Sequence, residues 1–558
     1  MIDKERRSLE NELPCCDFIS LLKASRNSRS TRHVETLLSA SIAFDIPVTK
    51  WSSPMMRGLS SGKRKQLSVG RIVALVIAAA APLSAILGNL PLALSLGNGA
   101  GLPGVLLIAT AVLLCFSIGY GAMSRHVVNT GAFYTYVGQG LGKPVAVGAA
   151  LLAVLSYSAL SIGLAGAFGY FTSLVLDAVG VHQSWVLYAA AGIFLTGLLG
   201  YRSVDLSAKV LTLLMIAEMA IVVIFDISVL AQRGMTALPS TSLEPGTVMS
   251  EGFGIAVMFA FTSFIGFESA ALYGEEATDP TRSIPRATYL AVITIGLFYF
   301  VTAWITVGAI GVHATRNIAS DQLGSLMIDL MATYTSTSLS HVMAVLLCTS
   351  LLASMLAVHN AASRYLFVLG REKLLPAPLG RFNRRHYSPS NASVIQTCVA
   401  FAAVAAFFNA GLDPYVNLAT SMVGLSTLGI LGLQALAAMA IFAYFCKHPT
   451  SGIARTRIAP AIGGAGIVVA LALFVTDYAS LVGTDNSVVN ALPLVLGLTV
   501  VAGWFYGIWL RYRRPHIYAG LAAIKPRYSP PSVQPQPPNE CSGYDPSRCC
   551  SSECPRVN

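Results

Sequence analysis

The stretch Phe259-Ala260-Phe261-Thr262-Ser263-Phe264-Ile265-Gly266-Phe267-Glu268-Ser269 sets a glycine and a carboxylate near the middle of an otherwise apolar run. In lipid, backbone groups freed by such an interruption cost on the order of several kcal/mol each unless they are buried in protein or line a wet cavity. A second interruption lies upstream, in Ala78-Ala79-Ala80-Ala81-Pro82-Leu83-Ser84-Ala85-Ile86-Leu87-Gly88-Asn89-Leu90-Pro91. Pro82 removes a backbone donor and disfavours helix at Ala81, and Gly88 with Pro91 is expected to loosen the next turn.

Around these two stretches the chain is built for a bilayer. Of 558 residues, 54% are hydrophobic and only 11% charged, against about 25% charged in ordinary globular chains. A soluble protein of this size needs a charged exterior that this composition cannot supply. Crossing a bilayer takes about 20 apolar residues. Twelve such runs are read, at about 70–96, 103–124, 146–176, 185–201, 206–231, 252–275, 287–312, 341–368, 391–410, 415–445, 460–480 and 491–511. The fold class is therefore an all-α polytopic membrane protein.

The formal charge of +11 then becomes a topology signal. Of the 37 Lys and Arg residues, 35 fall in the two ends and alternate loops, and the opposite loops hold only Arg233 and Arg316. The positive-inside rule places both termini in the cytoplasm and makes the number of spans even, in a multi-pass protein of the inner, cytoplasmic membrane. Nucleic acid is set aside as a partner, because no basic–aromatic interleaving accompanies the charge.

Three regions follow. Residues 1–68 read as a disordered basic cytoplasmic arm, with a short amphipathic helix at Asp17–Leu38 as the alternative. No cleaved signal peptide precedes the first span. Residues 69–514 form the membrane domain, and the Pro- and Ser-rich tail 515–558 reads as disordered. Cys541, Cys549, Cys550 and Cys554 cluster in that tail at a spacing that is not a standard zinc pattern, so no metal or cofactor is expected. Gly58-Leu59-Ser60-Ser61-Gly62 matches a nucleophile elbow and Gly99-Ala100-Gly101-Leu102-Pro103-Gly104 a dinucleotide fingerprint. Neither follows a strand, which both motifs require. No HExxH or Walker A sequence is present, and no enzymatic activity is expected.

Two interrupted helices five spans apart are the mark of an inverted-repeat transporter with its substrate at the breaks. Phe264-Ile265-Gly266-Phe267-Glu268, Glu275-Glu276 and Asp279-Pro280-Thr281-Arg282-Ser283-Ile284-Pro285-Arg286-Ala287 resemble the signature of the amino acid–polyamine–organocation permeases. Thr130-Gly131-Ala132-Phe133-Tyr134-Thr135-Tyr136 to Leu141-Gly142 is similar to the approach to that family's third span. Asn360 to Arg364, Leu369 to Arg371 and Leu375-Pro376 resemble the loop after its eighth, so the likeness runs in order over about residues 70–511. The resemblance implies the LeuT-type fold, a five-plus-five inverted repeat with discontinuous helices 1 and 6 and two added helices. One departure stands out. Family members that bind an amino acid carboxylate commonly carry a Gly-Ser/Ala-Gly run at the first break, where this chain has Leu83-Ser84-Ala85, with glycine only at Gly88. That points toward an amine or a decarboxylated relative of an amino acid.

The expected substrate-binding set is Pro82, Leu83, Ser84, Ala85 and Gly88 at the first break, Phe261, Thr262, Phe264, Ile265, Gly266 and Phe267 at the second, and Tyr157 by resemblance. The three phenylalanines read either as a cation–π wall or as helix packing. Glu268 is the leading proton-coupling residue, since a carboxyl group kept from water can stay protonated. In the related arginine/agmatine antiporter the matching glutamate senses protons, and the resemblance implies that role here. The other reading is a buried glutamate hydrogen-bonded to broken backbone. Glu218 is the second proton-coupling candidate, Asp226 on the same span is expected near the outer interface, and Ser350 and Ser354 are weaker candidates. Glu275 and Glu276 are expected to pair with Arg282 or Arg286.

The expected function is secondary transport of an amino acid, polyamine or related amine, coupled to protons as symport or exchange. Its partners are the small molecule, the proton and the lipid bilayer. The rival from another class is a membrane receptor or sensor on the same fold; a polytopic membrane enzyme would need paired acid/base groups at one interface, which the sequence does not offer.

Overall fold

A computed structural model describes residues 67–522 except 128–131, 203–207, 274–276, 384, 387, 451 and 483–489. The expectations for the N-terminal arm, for Glu275 and Glu276, and for the tail cysteines lie outside the described residues. Within them, regular structure is helical apart from isolated bridges at Leu67–Ala277 and Asn383–Ser388.

In chain order the helices are α1 (Val69–Ala80), α2 (Pro82–Leu96), α3 (Leu102–Ser124), α4 (Ala132–Gly140), α5 (Lys143–Asp177), α6 (Trp185–Tyr201) and α7 (Ala208–Arg233). There follow α8 (Phe253–Ser263), α9 (Pro280–Ile310), α10 (Thr315–Gln322), α11 (Leu326–Tyr334) and α12 (Thr337–Arg371). The last are α13 (Ser390–Asn409), α14 (Thr420–Lys447), α15 (Ala459–Val482), α16 (Leu492–Arg513) and α17 (Pro515–Gly520). Among the described residues, eleven helical segments are long and apolar enough to cross a membrane. The run expected as a twelfth, at 185–201, is the 17-residue helix α6, which falls short of that length.

Proline and glycine set many of the helix ends. Pro103, Pro144, Pro280 and Pro493 stand in the first turns of α3, α5, α9 and α16, where a missing N–H costs nothing. Asp279 caps α9 through the Thr281 N–H at 3.2 Å, and Gly311 ends it at φ 101°. Many large apolar side chains face outward, among them Leu213, Ile224 and Ile227 on α7, Leu290 and Leu297 on α9, and Leu498 and Phe505 on α16. An exterior of that kind suits lipid rather than water.

Both expected interruptions are present, and they touch. Ala81 takes the left-handed conformation, φ 46° and ψ 69°, between α1 and α2, because Pro82 denies it the right-handed helix. The helix then continues through Gly88 and Pro91, contrary to the looser turn expected there. Tyr415 donates its hydroxyl to the Gly88 carbonyl at 2.8 Å, which gives that stretch of backbone a partner. In the second break α8 stops at Ser263, and a 3₁₀ turn over Phe267–Tyr273 resumes after Gly266. Gly266 has φ 116°, and a Cβ there would lie 2.8 Å from the Ala79 carbonyl oxygen. The two breaks therefore meet backbone to backbone.

At the end of the molecule away from most basic residues, Arg316 of α10 donates to the carbonyls of Gly97 and Glu251, at 2.6 and 2.9 Å. It thereby ties the end of α2 to the turn before α8. At the basic end the chain does not loosen at Pro515 as expected. Pro515 starts α17, and Ile517, Leu521 and Ala522 are buried. Lys143 caps this helix through the carbonyls of Tyr518 and Ala519, at 3.0 and 2.7 Å. The Ala522 N–H donates to the Tyr134 hydroxyl at 3.0 Å, and that hydroxyl donates to Glu372.

Candidate substrate site

The abutting breaks open on a cavity of about 700 Å³, within the usual size of small-molecule sites. Its walls come from the first break (Ala81, Ser84, Ala85, Gly88), the second (Thr262, Ile265, Gly266, Glu268), α5 with Tyr157, and one face of α12 with Ser354, Asn360 and Arg364. Tyr415 and Thr420 close another side. The cavity reaches Tyr134 and Arg371 at the basic end, and Leu92 and Phe259 line it toward the other end.

Glu268 is 4% exposed and borders this space. Its carboxyl accepts the Tyr157 hydroxyl at 3.0 Å and the Gly266 N–H at 2.9 Å. The break makes this possible, because Gly266 has left the helix and its N–H is free to turn toward the side chain two residues on. Glu268 therefore satisfies broken backbone and also faces the cavity. Tyr157 in turn stacks on Tyr365 of α12, with centroids 5.6 Å apart and planes at 17°.

Glu218 sits elsewhere. It is 4% exposed, does not line the cavity, and accepts the Ser350 hydroxyl at 2.9 Å. The Leu83 backbone at the first break lies within electrostatic reach of its carboxyl, so α7, α12 and that break come together around one carboxyl group. Asp226 is buried in the bundle. It is 7% exposed and accepts the Thr302 hydroxyl of α9 at 2.8 Å, a partner that lets it stay inside the bundle.

Several expected residues lie outside the wall. Pro82 and Leu83 are buried in packing behind the first break. Phe261, Phe264 and Phe267 are buried and absent from the cavity lining. Phe264 sets an edge against Tyr299 at 5.8 Å and Phe267 against Phe116 at 6.2 Å. They are packing, and the cation–π wall is not formed. Tyr157, Tyr365 and Tyr415 are among the aromatic residues that line it instead.

Sequence reading missed Asn89, Tyr365 and Tyr415. Asn89 lies one helical turn beyond Ala85 and donates to Ser263 at 3.4 Å, a placement that an unbroken α2 would have signalled. Tyr365 adjoins Arg364 in a motif already quoted, whereas nothing local marks Tyr415, which enters from a distant helix. Among the described lining residues the charged side chains are Glu268, Arg364 and Arg371. Among the described residues no group of three or more His, Cys, Asp or Glu is placed to hold a metal.

A family model described as amino acid permease matches residues 72–516, the whole region that carries this geometry. The chain belongs to the amino acid permease family. Among relatives of the permease, the branched-chain amino acid permease BcaP of Bacillus subtilis is 25% identical over 315 residues, covering 52% of this chain and 64% of that protein. BcaP of Lactococcus lactis is 25% identical over 358 residues, 59% of this chain and 74% of its own length. The low-affinity putrescine importer PlaP of Escherichia coli is 23% identical over 308 residues, 53% of this chain and 65% of its own. The alignments span 64% to 74% of these relatives' own length, less than two thirds of the first. The permease is a multi-pass membrane protein.

Proposed function

We propose that this permease is a secondary transporter of amino acids, polyamines or related amines, working by alternating access with the substrate held where the two helix breaks meet. In this reading α6 also spans, which makes twelve spans in a five-plus-five inverted repeat, with both termini cytoplasmic in the cell membrane. The observation that carries it is the contact of Gly266 with the Ala79 backbone beside a 700 Å³ cavity bordered by Glu268. Relatives named for branched-chain amino acids and for putrescine support the substrate class.

The local chemistry favours the amine end of that class. A carboxylate seeks free N–H groups in the first turn of α2. Pro82 has none, and the Leu83 N–H lies within electrostatic reach of the Glu218 carboxyl, which opposes a second carboxylate there. A cationic amine has Glu268 to meet it. Glu268 and Glu218 are the proton-coupling groups, one at each break, and proton and amine compete for the first of them.

The test is uptake of leucine and putrescine into proteoliposomes under an imposed pH gradient, with Glu268→Gln alongside. Wild-type accumulation driven by the gradient and lost in the variant is expected. Gradient-driven accumulation that Gln leaves intact removes Glu268 from coupling.

A further inference from the structure

We propose that Tyr120 of α3 is a positioning residue for Glu268. Its hydroxyl holds the Glu268 backbone in the turn after the second break, and so keeps the carboxyl aimed at the cavity. The proposal rests on the reading above, in which Glu268 meets the amine of the substrate.

Tyr120 is fully buried and absent from the cavity lining among the described residues. Its hydroxyl donates to the Glu268 carbonyl at 3.2 Å. Its ring is packed on several sides, stacked on Phe116 with centroids 5.7 Å apart, and set against Phe133 and Tyr136 of α4 at 5.7 and 5.2 Å. One turn earlier on α3, Phe116 sets an edge against Phe267. α3 thus grips two consecutive residues of the second break, Phe267 by a ring contact and Glu268 by a hydrogen bond.

The grip falls where the backbone needs support. The 3₁₀ stretch Phe267–Tyr273 runs for 7 residues, whereas runs longer than about 3–4 residues are uncommon, because their hydrogen bonds are poorly aligned. An α-helix turns about 100° per residue and a 3₁₀ helix about 120°. Relaxation of this stretch toward an α-helix would therefore swing Glu268 away from the two groups that hold its carboxyl, the Tyr157 hydroxyl and the Gly266 N–H. Tyr120 holds the same residue by its carbonyl, so Glu268 is fixed at both ends.

A carboxyl already in place needs no ordering when an amine arrives, and preorganisation of this kind raises affinity by removing that cost. Loss of the Tyr120 hydroxyl therefore shows as weaker binding of the amine. A bond that served only the fold would act differently. Its loss would lower the amount of active protein, and with it the maximal rate, while the surviving molecules kept their KM.

Tyr120→Phe removes only the hydroxyl and keeps the ring. Wild type and variant go into proteoliposomes for counterflow of putrescine and of leucine. In detergent both are treated with a hydrophobic carbodiimide, and modification of Glu268 is followed by mass spectrometry. In Tyr120→Phe the KM of the transported probe is expected to rise about tenfold, the scale of one hydrogen bond, with the maximal rate within about twofold of wild type. Glu268, released from its partners, is expected to be modified faster. An unchanged KM overturns the proposal, even if the maximal rate falls, and leaves Tyr120 as part of the packing. Counterflow of neither probe by the wild type overturns the transport reading instead. The carbodiimide then decides the hold on Glu268 by itself: faster modification in Tyr120→Phe sustains it, and equal modification in the two proteins overturns it.

Discussion

Gly266 is the residue on which the site turns. Its φ of 116° suits glycine, and a Cβ would press on the Ala79 carbonyl. Gly266→Ala is expected to destabilise the fold by about 1–3 kcal/mol and to push the breaks apart, seen as a lower unfolding temperature in detergent together with weaker amine binding. An unchanged melting temperature would mean that the backbones yield without cost. Glu268 was legible in the sequence because a carboxylate in an apolar run is rare. Its partner Gly266 N–H was not, since the turn that frees it depends on where α8 stops. The phenylalanines show the converse. Their spacing was plain, yet which face meets the cavity is decided by the break's geometry.

At the scale of elements, the segment after α16 carries the clearest departure from expectation. Composition marked Pro515 as the start of a loose tail, but Pro also opens helices, and burial of Ile517 and Leu521 settles the matter locally. This segment reaches Tyr134, which lines the cavity, through the Ala522 N–H. Truncation after Ala522 is therefore expected to leave uptake intact, while truncation after Arg514 takes the Ala522 N–H from Tyr134 and both carbonyls from Lys143, and lowers it. Stability at this end should also respond to pH. Burial pushes the Glu372 carboxyl above the usual carboxylate range, against the Tyr134 hydrogen bond, which lowers it. The folded state then binds that proton more tightly than the unfolded chain does. The stability this group contributes is fully present below the ordinary glutamate value of about 4.3 and is lost as pH rises through the raised value. The unfolding temperature in detergent should fall over that rise by more in the wild type than in Glu372→Gln. Equal pH dependence in the two would set the idea aside.

Across the whole molecule, the charge pattern and apolar runs made a helical membrane protein readable before any coordinates. The short α6 shows the limit of counting: 17 residues pass as a span in sequence and fall below a length criterion in structure. The meeting of the breaks was not readable, because it joins residues far apart in the chain. One of the two basic residues on the sparse side, Arg316, has a use beyond topology. By holding the Gly97 and Glu251 carbonyls it fastens the end of α2 to the turn before α8. Arg316→Ala is expected to raise the reactivity of a cysteine placed at Asn89 toward impermeant thiol reagents added outside, and equal labelling in both backgrounds would refute the clamp.

That fastening has a kinetic side. An unloaded carrier spends its time wherever its stronger closure leaves it, and here Arg316 ties two elements together at one end while the cavity reaches Tyr134 and Arg371 at the other. In the proposed orientation the empty protein waits facing the cell interior, having already delivered its load. Its slow step is then the return journey rather than the delivery, so one solute swapped for another should move faster than solute gained outright, and loosening Arg316 should narrow that gap.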